Sequence, residues 1–200
     1  MKDPKQIEFE TYCNTRSWNI KPITVDKTKT PDFFILDDTG VAIAVAELKV
    51  LSKCTLDMQI KRSIINLLHK EVAAPITVKN TSLNQIRNII KDANRQFKVF
   101  DSVLPNLLVL YNERISTDID SILIERAMNG DTFLLTNKDI GIIAIRHKSK
   151  TIGKNWNSHV GAILTPNQRN GMLMIPNKWA TKQIERKKFQ GQDDDWEAVQ

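Results

Sequence analysis

Three charged residues that could carry out metal-assisted hydrolysis lie within the first fifty positions of the sequence. Asp32 follows Pro31, and after fourteen intervening residues Glu47 and Lys49 flank Leu48. Mg²⁺ prefers oxygen ligands, and proteins usually hold it with one or two carboxylates plus a substrate phosphate. The ion lowers the pKa of a bound water and neutralises charge on a phosphoryl group, while a neighbouring lysine can orient or deprotonate that water. These residue types therefore indicate metal-dependent hydrolysis of a phosphate ester.

A predicted hairpin explains how these charges would meet. Residues 32–36 and 41–50 are predicted strands, and the turn between them ends on a glycine that can adopt positive φ. The second strand is apolar on both faces, as in the middle of a covered sheet. Side chains alternate along a strand, so Glu47 and Lys49 share a face, and the hairpin brings Asp32 beside Glu47. Without a metal, gathering these charges at the end of an apolar strand would be costly.

The rest of the chain predicts elements that would frame this hairpin. Helical spacing and capping residues predict helices over 4–18, 56–73, 82–99 and 116–128. Strand-like runs cover 21–27, 107–111, 132–135, 140–146, 160–164 and 172–175. This order predicts an α/β fold with a mixed central sheet flanked by helices.

The domain organisation follows from length and texture. A chain of 200 residues favours one core, and no internal repeat or low-complexity linker divides it. We expect one domain over residues 1–180, with a core at about 5–112. A β-rich extension at 131–180 either continues the first sheet or forms a small second one. The charged stretch 181–200 is predicted to be a flexible tail.

The composition indicates a globular protein with a basic surface. Hydrophobic residues make up 41% and charged residues 26%, with a net charge of +6, which is compatible with a polyanionic partner. The first twenty residues are polar, and no apolar run approaches the length needed to cross a bilayer. These features predict a cytoplasmic protein without a membrane partner. Cys13 and Cys54 lack zinc-site spacing and predict two reduced thiols.

Other hydrolase and nucleotide-binding classes lack their motifs here. His69, His147 and His159 are far apart and show no paired spacing, which disfavours a zinc or histidine–metal site. No GxxxxGK[ST] phosphate loop and no GxSxG elbow occurs in the sequence. The chemistry therefore rests on the carboxylates and the lysine of the hairpin.

The hairpin residues resemble the PD-(D/E)XK nuclease superfamily, which has the restriction-endonuclease-like fold. The match consists of Pro31-Asp32, fourteen residues that include the hairpin turn, and then Glu47-Leu48-Lys49. The element order extends it to about residues 5–112, and the first fifty residues are most similar to small Holliday-junction-resolvase-like nucleases. The resemblance implies that Asp32 and Glu47 bind Mg²⁺, for which Mn²⁺ can substitute, and that Lys49 serves the nucleophilic water.

The same resemblance implies two further site residues. Members often add a glutamate from the first helix, where Glu10 occupies a comparable place and Glu8 a less favoured one. Many members also carry a polar residue on the helix after the triplet, and Gln96 is the best candidate, with Lys91 behind it. A solvated helix face is the alternative interpretation of these residues.

Two groups of basic residues could contact nucleic acid. One is the polar side of the helix at 82–99, which carries Arg87, Lys91, Arg95 and Lys98. The other surrounds a glycine and includes Lys148, Lys150 and Lys154, with Trp156 close by. Lysine and arginine bind phosphates, and tryptophan can stack a base. A solvated basic surface is the alternative for both groups.

Together these patterns predict a Mg²⁺-dependent endonuclease that hydrolyses phosphodiester bonds in DNA. The alternative is a nuclease-fold module that binds nucleic acid or a protein partner without cleaving it. An RNA substrate, a homodimer, and site-specific or structure-specific cleavage are all compatible with the sequence.

Overall fold

The computed structural model describes residues 3–24, 30–53, 82–113, 121–129, 131–137, 141–148, 152, 157–166 and 172–184. Its helices are α1 (Pro4–Thr15), α2 (Ser82–Phe100) and α3 (Ser121–Asn129). Its strands are β1 (Asn19–Pro22), β2 (Phe33–Leu36), β3 (Ala42–Leu51), β4 (Asn106–Asn112), β5 (Asp131–Asn137), β6 (Gly141–Lys148), β7 (Ala162–Pro166) and β8 (Met172–Pro176). The helix predicted at 56–73 lies outside the described residues.

Six strands form one mixed sheet in the order β1-β2-β3-β4-β7-β8. The first three strands are antiparallel neighbours, β3, β4 and β7 run parallel, and β8 returns antiparallel to β7. The remaining two described strands, β5 and β6, form a separate antiparallel pair. The predicted α/β class with a mixed central sheet flanked by helices is therefore confirmed. Of the β-rich extension, β7 and β8 continue the first sheet, whereas β5 and β6 form a small second one.

Helices cover both faces of the large sheet. Val45 of β3 belongs to one apolar cluster with Ile86 and Ile90 of α2, and α3 packs on this same side. Ala46, the next residue along β3, belongs to a second cluster with Phe9 of α1. Residues 106–111 of β4 are all buried, as expected for a parallel strand covered on both sides. The two faces of β3 therefore pack against different helices.

The first helix ends earlier than the sequence predicts. Asp3 caps its start by accepting a 2.7 Å hydrogen bond from the Lys5 amide. After Thr15 the chain reverses, because Ser17 adopts a φ of 58° and the amide of Trp18 donates to the Cys13 carbonyl. The indole of Trp18 is consequently buried beyond the end of the helix rather than along its side.

The packed part of the chain extends past the predicted boundary at residue 180. Ile184 is buried within the cluster on the α1 side of the sheet. Residues 185–200, which hold most of the predicted tail, lie outside the described residues. None of the helices in the described ranges is both long and apolar enough to traverse a bilayer.

Candidate active site

The two ends of the β2–β3 hairpin meet at Asp32. Its amide donates a 3.1 Å hydrogen bond to the Ala46 carbonyl, and its Oδ2 accepts a 2.8 Å hydrogen bond from the Leu48 amide. The carboxylate therefore extends the backbone pairing of the hairpin by one further contact. Because Leu48 stands between Glu47 and Lys49, this contact holds Asp32 against the strand that carries the other two residues.

Glu47 is a buried carboxylate with incomplete pairing. Only 1% of its surface is exposed, although charged side chains are almost never fully buried without a partner. The ammonium of Lys49 forms an ion pair with Oε1, whereas Oε2 is buried and accepts no hydrogen bond in the described structure. A buried carboxylate oxygen without a partner is energetically costly.

The surroundings of Glu47 raise the pKa of its carboxyl above the ordinary value. Burial is the largest cause, and the nearby negative charge of Asp32 acts in the same direction. The hydrogen bond and positive charge of Lys49, together with the amide of Gln96, partly oppose them by lowering the pKa. Sequence analysis predicted that Asp32, Glu47, Lys49 and Gln96 share one site, and the structure brings these four side chains together.

Gln96 reaches the site from α2. Its Nε2 donates a 3.4 Å hydrogen bond to the carbonyl of Thr30, which precedes Pro31-Asp32 in the chain. The amide of Gln96 thus lies between the segment that leads into Asp32 and the carboxylate of Glu47. The hydroxyl of Thr30 is buried without a hydrogen-bond partner among the described residues.

A surface groove begins at Lys49 and runs beside α2. It is lined by Lys49, Ile89, Asp92, Arg95, Gln96 and Val99. Asp92 was not among the predicted site residues, although it precedes Gln96 by four positions and therefore lies on the same side of the helix. Helical spacing counted back from Gln96 would have identified it. The groove gives Lys49 direct access to a molecule lying on the surface.

Glu10 lies on α1, a different helix from the one that carries Gln96. Its helix, α1, packs through Phe9 and Cys13 against the face of the sheet opposite the one that α2 covers. Glu10 contributes to raising the pKa of the Cys13 thiol, to about 12 with burial as the larger cause, but it is not among the groups that shift Glu47. Within the described residues no three acidic, histidine or cysteine side chains are grouped as metal ligands. The role of Glu10 as a third ligand stays a prediction.

The predicted basic face of α2 is smaller than its sequence suggests. Lys91, Arg95 and Lys98 are exposed, and Arg95 pairs with Asp92 at 3.1 Å. Arg87 is instead only 9% exposed, and its guanidinium donates a 3.4 Å hydrogen bond to the Arg126 carbonyl near the end of α3. The packing of α3 against α2 turns Arg87 inward, so it belongs to the helix interface. Lys150 and Lys154 lie outside the described residues.

The carboxylate pair fits a Mg²⁺ ion. This ion keeps several waters and needs only one or two protein carboxylates, so Asp32 and Glu47 suffice as ligands. The Oε2 atom of Glu47, which is buried and has no partner in the described ranges, is the kind of atom that a cation would satisfy. The donors that the described residues bring to this site are oxygens, which favour a hard cation over zinc or copper.

No protein-family model matches the chain. No curated protein and no solved structure shows significant similarity to it. A function must therefore be inferred from the geometry and chemistry of the site.

Proposed function

We propose that the protein is a Mg²⁺-dependent endonuclease that hydrolyses phosphodiester bonds in DNA. One observation carries the proposal: Glu47 is buried beside Asp32, with one carboxylate oxygen on Lys49 and the other without a partner among the described residues. Structural ion pairs normally satisfy both members, whereas this arrangement leaves a buried oxygen available for a cation.

The order of the elements supports the same proposal. In the described residues, a first helix, three antiparallel strands, a helix and a parallel fourth strand are ordered from α1 to β4, and residues 54–81 between β3 and α2 lie outside that description. This is the order on which the resemblance to the PD-(D/E)XK superfamily rests, and the motif lies at the hairpin of β2 and β3. A restriction-endonuclease-like fold is therefore part of the proposal.

Asp32 and Glu47 would hold the ion, which when bound supplies a Lewis acid for the phosphate and lowers the pKa of the attacking water. Asp32 is kept in place by the Leu48 amide, so its position does not depend on the ion. Lys49 contacts Glu47 and also lines the groove, so its ammonium can orient the attacking water and stabilise negative charge on the phosphate. Gln96 donates to the Thr30 carbonyl in the segment before Asp32, and its amide also donates to the carboxylate of Glu47.

The charge of the surface suits a nucleic-acid backbone. The chain carries a net charge of +6. Lys91 and Arg95 are exposed on α2, and Arg95 lines the groove that leads to Lys49. Basic side chains at such a groove would hold the phosphates that flank the scissile one.

One observation favours the alternative of a module that binds without cleaving. The ion pair between Lys49 and Glu47 offsets part of the buried negative charge in the absence of a metal. Such a pair could be purely structural, and the site would then have no turnover.

The deciding experiment incubates the protein with linear, circular, single-stranded and branched DNA in Mg²⁺, Mn²⁺ or EDTA. The proposed nuclease cleaves at least one of these substrates with Mg²⁺ and none with EDTA. Lys49→Ala should lower cleavage by about 10²- to 10⁴-fold, the usual contribution of an acid–base group, while DNA binding in EDTA stays within a few fold. Lys53→Ala is the matched control, because Lys53 is exposed just beyond the end of β3.

The two candidate functions give opposite results in this assay. DNA that is bound but left intact with every metal would establish the binding module. Equal cleavage by Lys49→Ala and the parent would remove Lys49 from the mechanism. RNA substrates tested in parallel decide which nucleic acid is cut.

A further inference from the structure

Two turns meet on a side of α2 that does not face the groove. Residues 157–161 precede β7, and residues 177–182 follow β8. The first turn contacts α2 where the His159 amide donates a 3.0 Å hydrogen bond to Asn94 Oδ1. Asn94 and Gln96 are two positions apart on the helix, so they project in different directions. The paired turns, defined as these two segments, are thus separate from the carboxylate site.

Buried amide side chains hold the paired turns in one arrangement. Asn106 donates a 2.8 Å hydrogen bond to the His159 carbonyl, and Asn177 donates one of 2.7 Å to the Val160 carbonyl. Gly161 fits closely between them, because a Cβ added there would lie 2.7 Å from the Asn106 carbonyl oxygen. These hydrogen bonds tie the two turns to each other and to β4, although the Oδ1 atom of Asn106 is buried without a partner among the described residues.

The paired turns present a tryptophan at the surface. Trp179 is 37% exposed. Its backbone amide donates a 2.9 Å hydrogen bond to Oδ1 of the buried Asn177, which fixes the position of the backbone at Trp179. Lys178 is exposed next to it, with Nζ 5.9 Å from the centre of the indole ring. Proteins that bind single-stranded nucleic acid stack bases on an exposed aromatic ring and contact phosphates with a neighbouring cation.

Further positive charge surrounds these turns. His159 has its pKa lowered, by burial and then by the charges of Lys182 and Lys98, so both lysines lie near its ring. The ammonium of Lys182 donates to the Ser102 carbonyl. It also lies 3.5 Å from the carboxylate of Asp101, whose negative charge offsets part of its positive charge. Lys98 and Lys178 are both exposed, and they add positive charge near these turns.

We propose that the paired turns bind single-stranded DNA, with an unpaired base stacked on Trp179 and flanking phosphates on Lys98 and Lys178. Bases within a duplex already stack on each other, so only an unpaired base can use the indole face. The inference rests on the proposed function in one respect, since the bound strand would belong to the DNA that the nuclease cleaves. It narrows the substrate to DNA that carries a single-stranded segment.

Fluorescence anisotropy with a labelled oligothymidylate in EDTA tests the surface without any cleavage. The parent should bind, and Trp179→Ala should raise the Kd by about 5- to 100-fold, the usual loss when a stacking residue is removed. Trp179→Phe should recover most of the affinity because a phenyl ring still stacks. Lys178→Ala should weaken binding and reduce its salt dependence, whereas Lys21→Ala should match the parent, because Lys21 is exposed on β1 at the opposite edge of the sheet.

Equal affinity of Trp179→Ala and the parent would overturn the inference, as would equal competition by a blunt duplex. Failure of the nuclease proposal gives a different result. If the parent cleaves no DNA with Mg²⁺ but Trp179→Ala still loses oligothymidylate binding, the binding surface is supported and the nuclease proposal alone is rejected. Circular dichroism of each variant verifies that the fold is retained.

Discussion

The amide of Leu48 donates a 2.8 Å hydrogen bond to the carboxylate of Asp32. The strand that carries Glu47 and Lys49 therefore also fixes the third charged residue of the site. One hairpin positions all three side chains, and α2 adds Gln96. A shift of one residue in the pairing of β2 and β3 would send the site residues of β3 to the opposite face.

Replacing Asp32 by asparagine separates its structural part from its proposed metal-binding part. An asparagine oxygen can still accept the hydrogen bond from Leu48, so the free energy of unfolding should change by less than about 1 kcal/mol. Cleavage in Mg²⁺ should fall by about 100-fold or more, because one of two carboxylate ligands is lost. Asp38→Asn removes the same charge from the exposed hairpin turn and should cleave normally. Chemical denaturation and a cleavage assay measure both effects, and full activity in Asp32→Asn would contradict the metal assignment.

Glu47 should make the metal-free protein less stable as the pH rises. Its pKa is raised in the folded state, chiefly by burial, so the folded protein holds this proton more tightly than the unfolded chain. Its contribution to stability is therefore complete below the unfolded-state pKa and is lost as the pH rises through the folded-state pKa. Glu47→Gln removes the titration and should gain stability relative to the parent across this interval. Urea denaturation of both proteins in EDTA over a pH series measures the difference in their free energies of unfolding. A difference that stays the same at every pH would refute the prediction.

Removing the amide of Gln96 should alter the pH dependence of cleavage as well as its rate. Gln96 lowers the pKa of Glu47 and donates to the Thr30 carbonyl. Gln96→Ala should therefore raise that pKa, move the acidic limb of the pH–rate profile to higher pH, and reduce kcat by roughly 10-fold, as for other residues that orient metal ligands. Asn88→Ala removes an exposed amide from the same helix and serves as the control. An unshifted profile would leave Gln96 with a packing role alone.

Two basic residues of α2 should behave in opposite ways. Arg87 is buried and donates to a carbonyl of α3, so Arg87→Ala should lower the free energy of unfolding by about 1.5–3 kcal/mol. Lys91 is exposed, so Lys91→Ala should change stability by less than about 0.5 kcal/mol. It should instead weaken DNA binding and reduce the salt slope by about one. Thermal denaturation and a salt titration of DNA binding distinguish the two variants. A stable Arg87→Ala variant with weakened DNA binding would contradict the buried position of Arg87.

The parts of the structure that the sequence could predict are the local ones. Strand alternation and a glycine turn were enough to place Glu47 and Lys49 on one face and Asp32 beside them. These inferences need only periodicity and the identity of neighbouring residues. Gln96 was instead implied by the resemblance to the nuclease superfamily, many members of which carry a polar residue on the helix after the triplet.

The parts that could not be predicted depend on distant contacts. Arg87 has the spacing of a surface residue, and only the packing of α3 turns it inward. The pairing of β7 with β4 joins segments more than fifty residues apart, which no local pattern specifies. No sequence pattern predicted the exposure of Trp179, because that exposure depends on the hydrogen bond between its amide and Asn177.

The Glu47 oxygen that has no partner within the described part of the chain also allows the proposed metal site to be tested through the stability of the protein. A cation that binds only the folded state raises the free energy of unfolding by about 2.7 kcal/mol when its free concentration is 100-fold above its Kd. The melting temperature should therefore rise with the ion that the site prefers, before any substrate is known. A thermal scan across divalent metals, with Glu47→Gln as the unresponsive reference, would rank those ions directly.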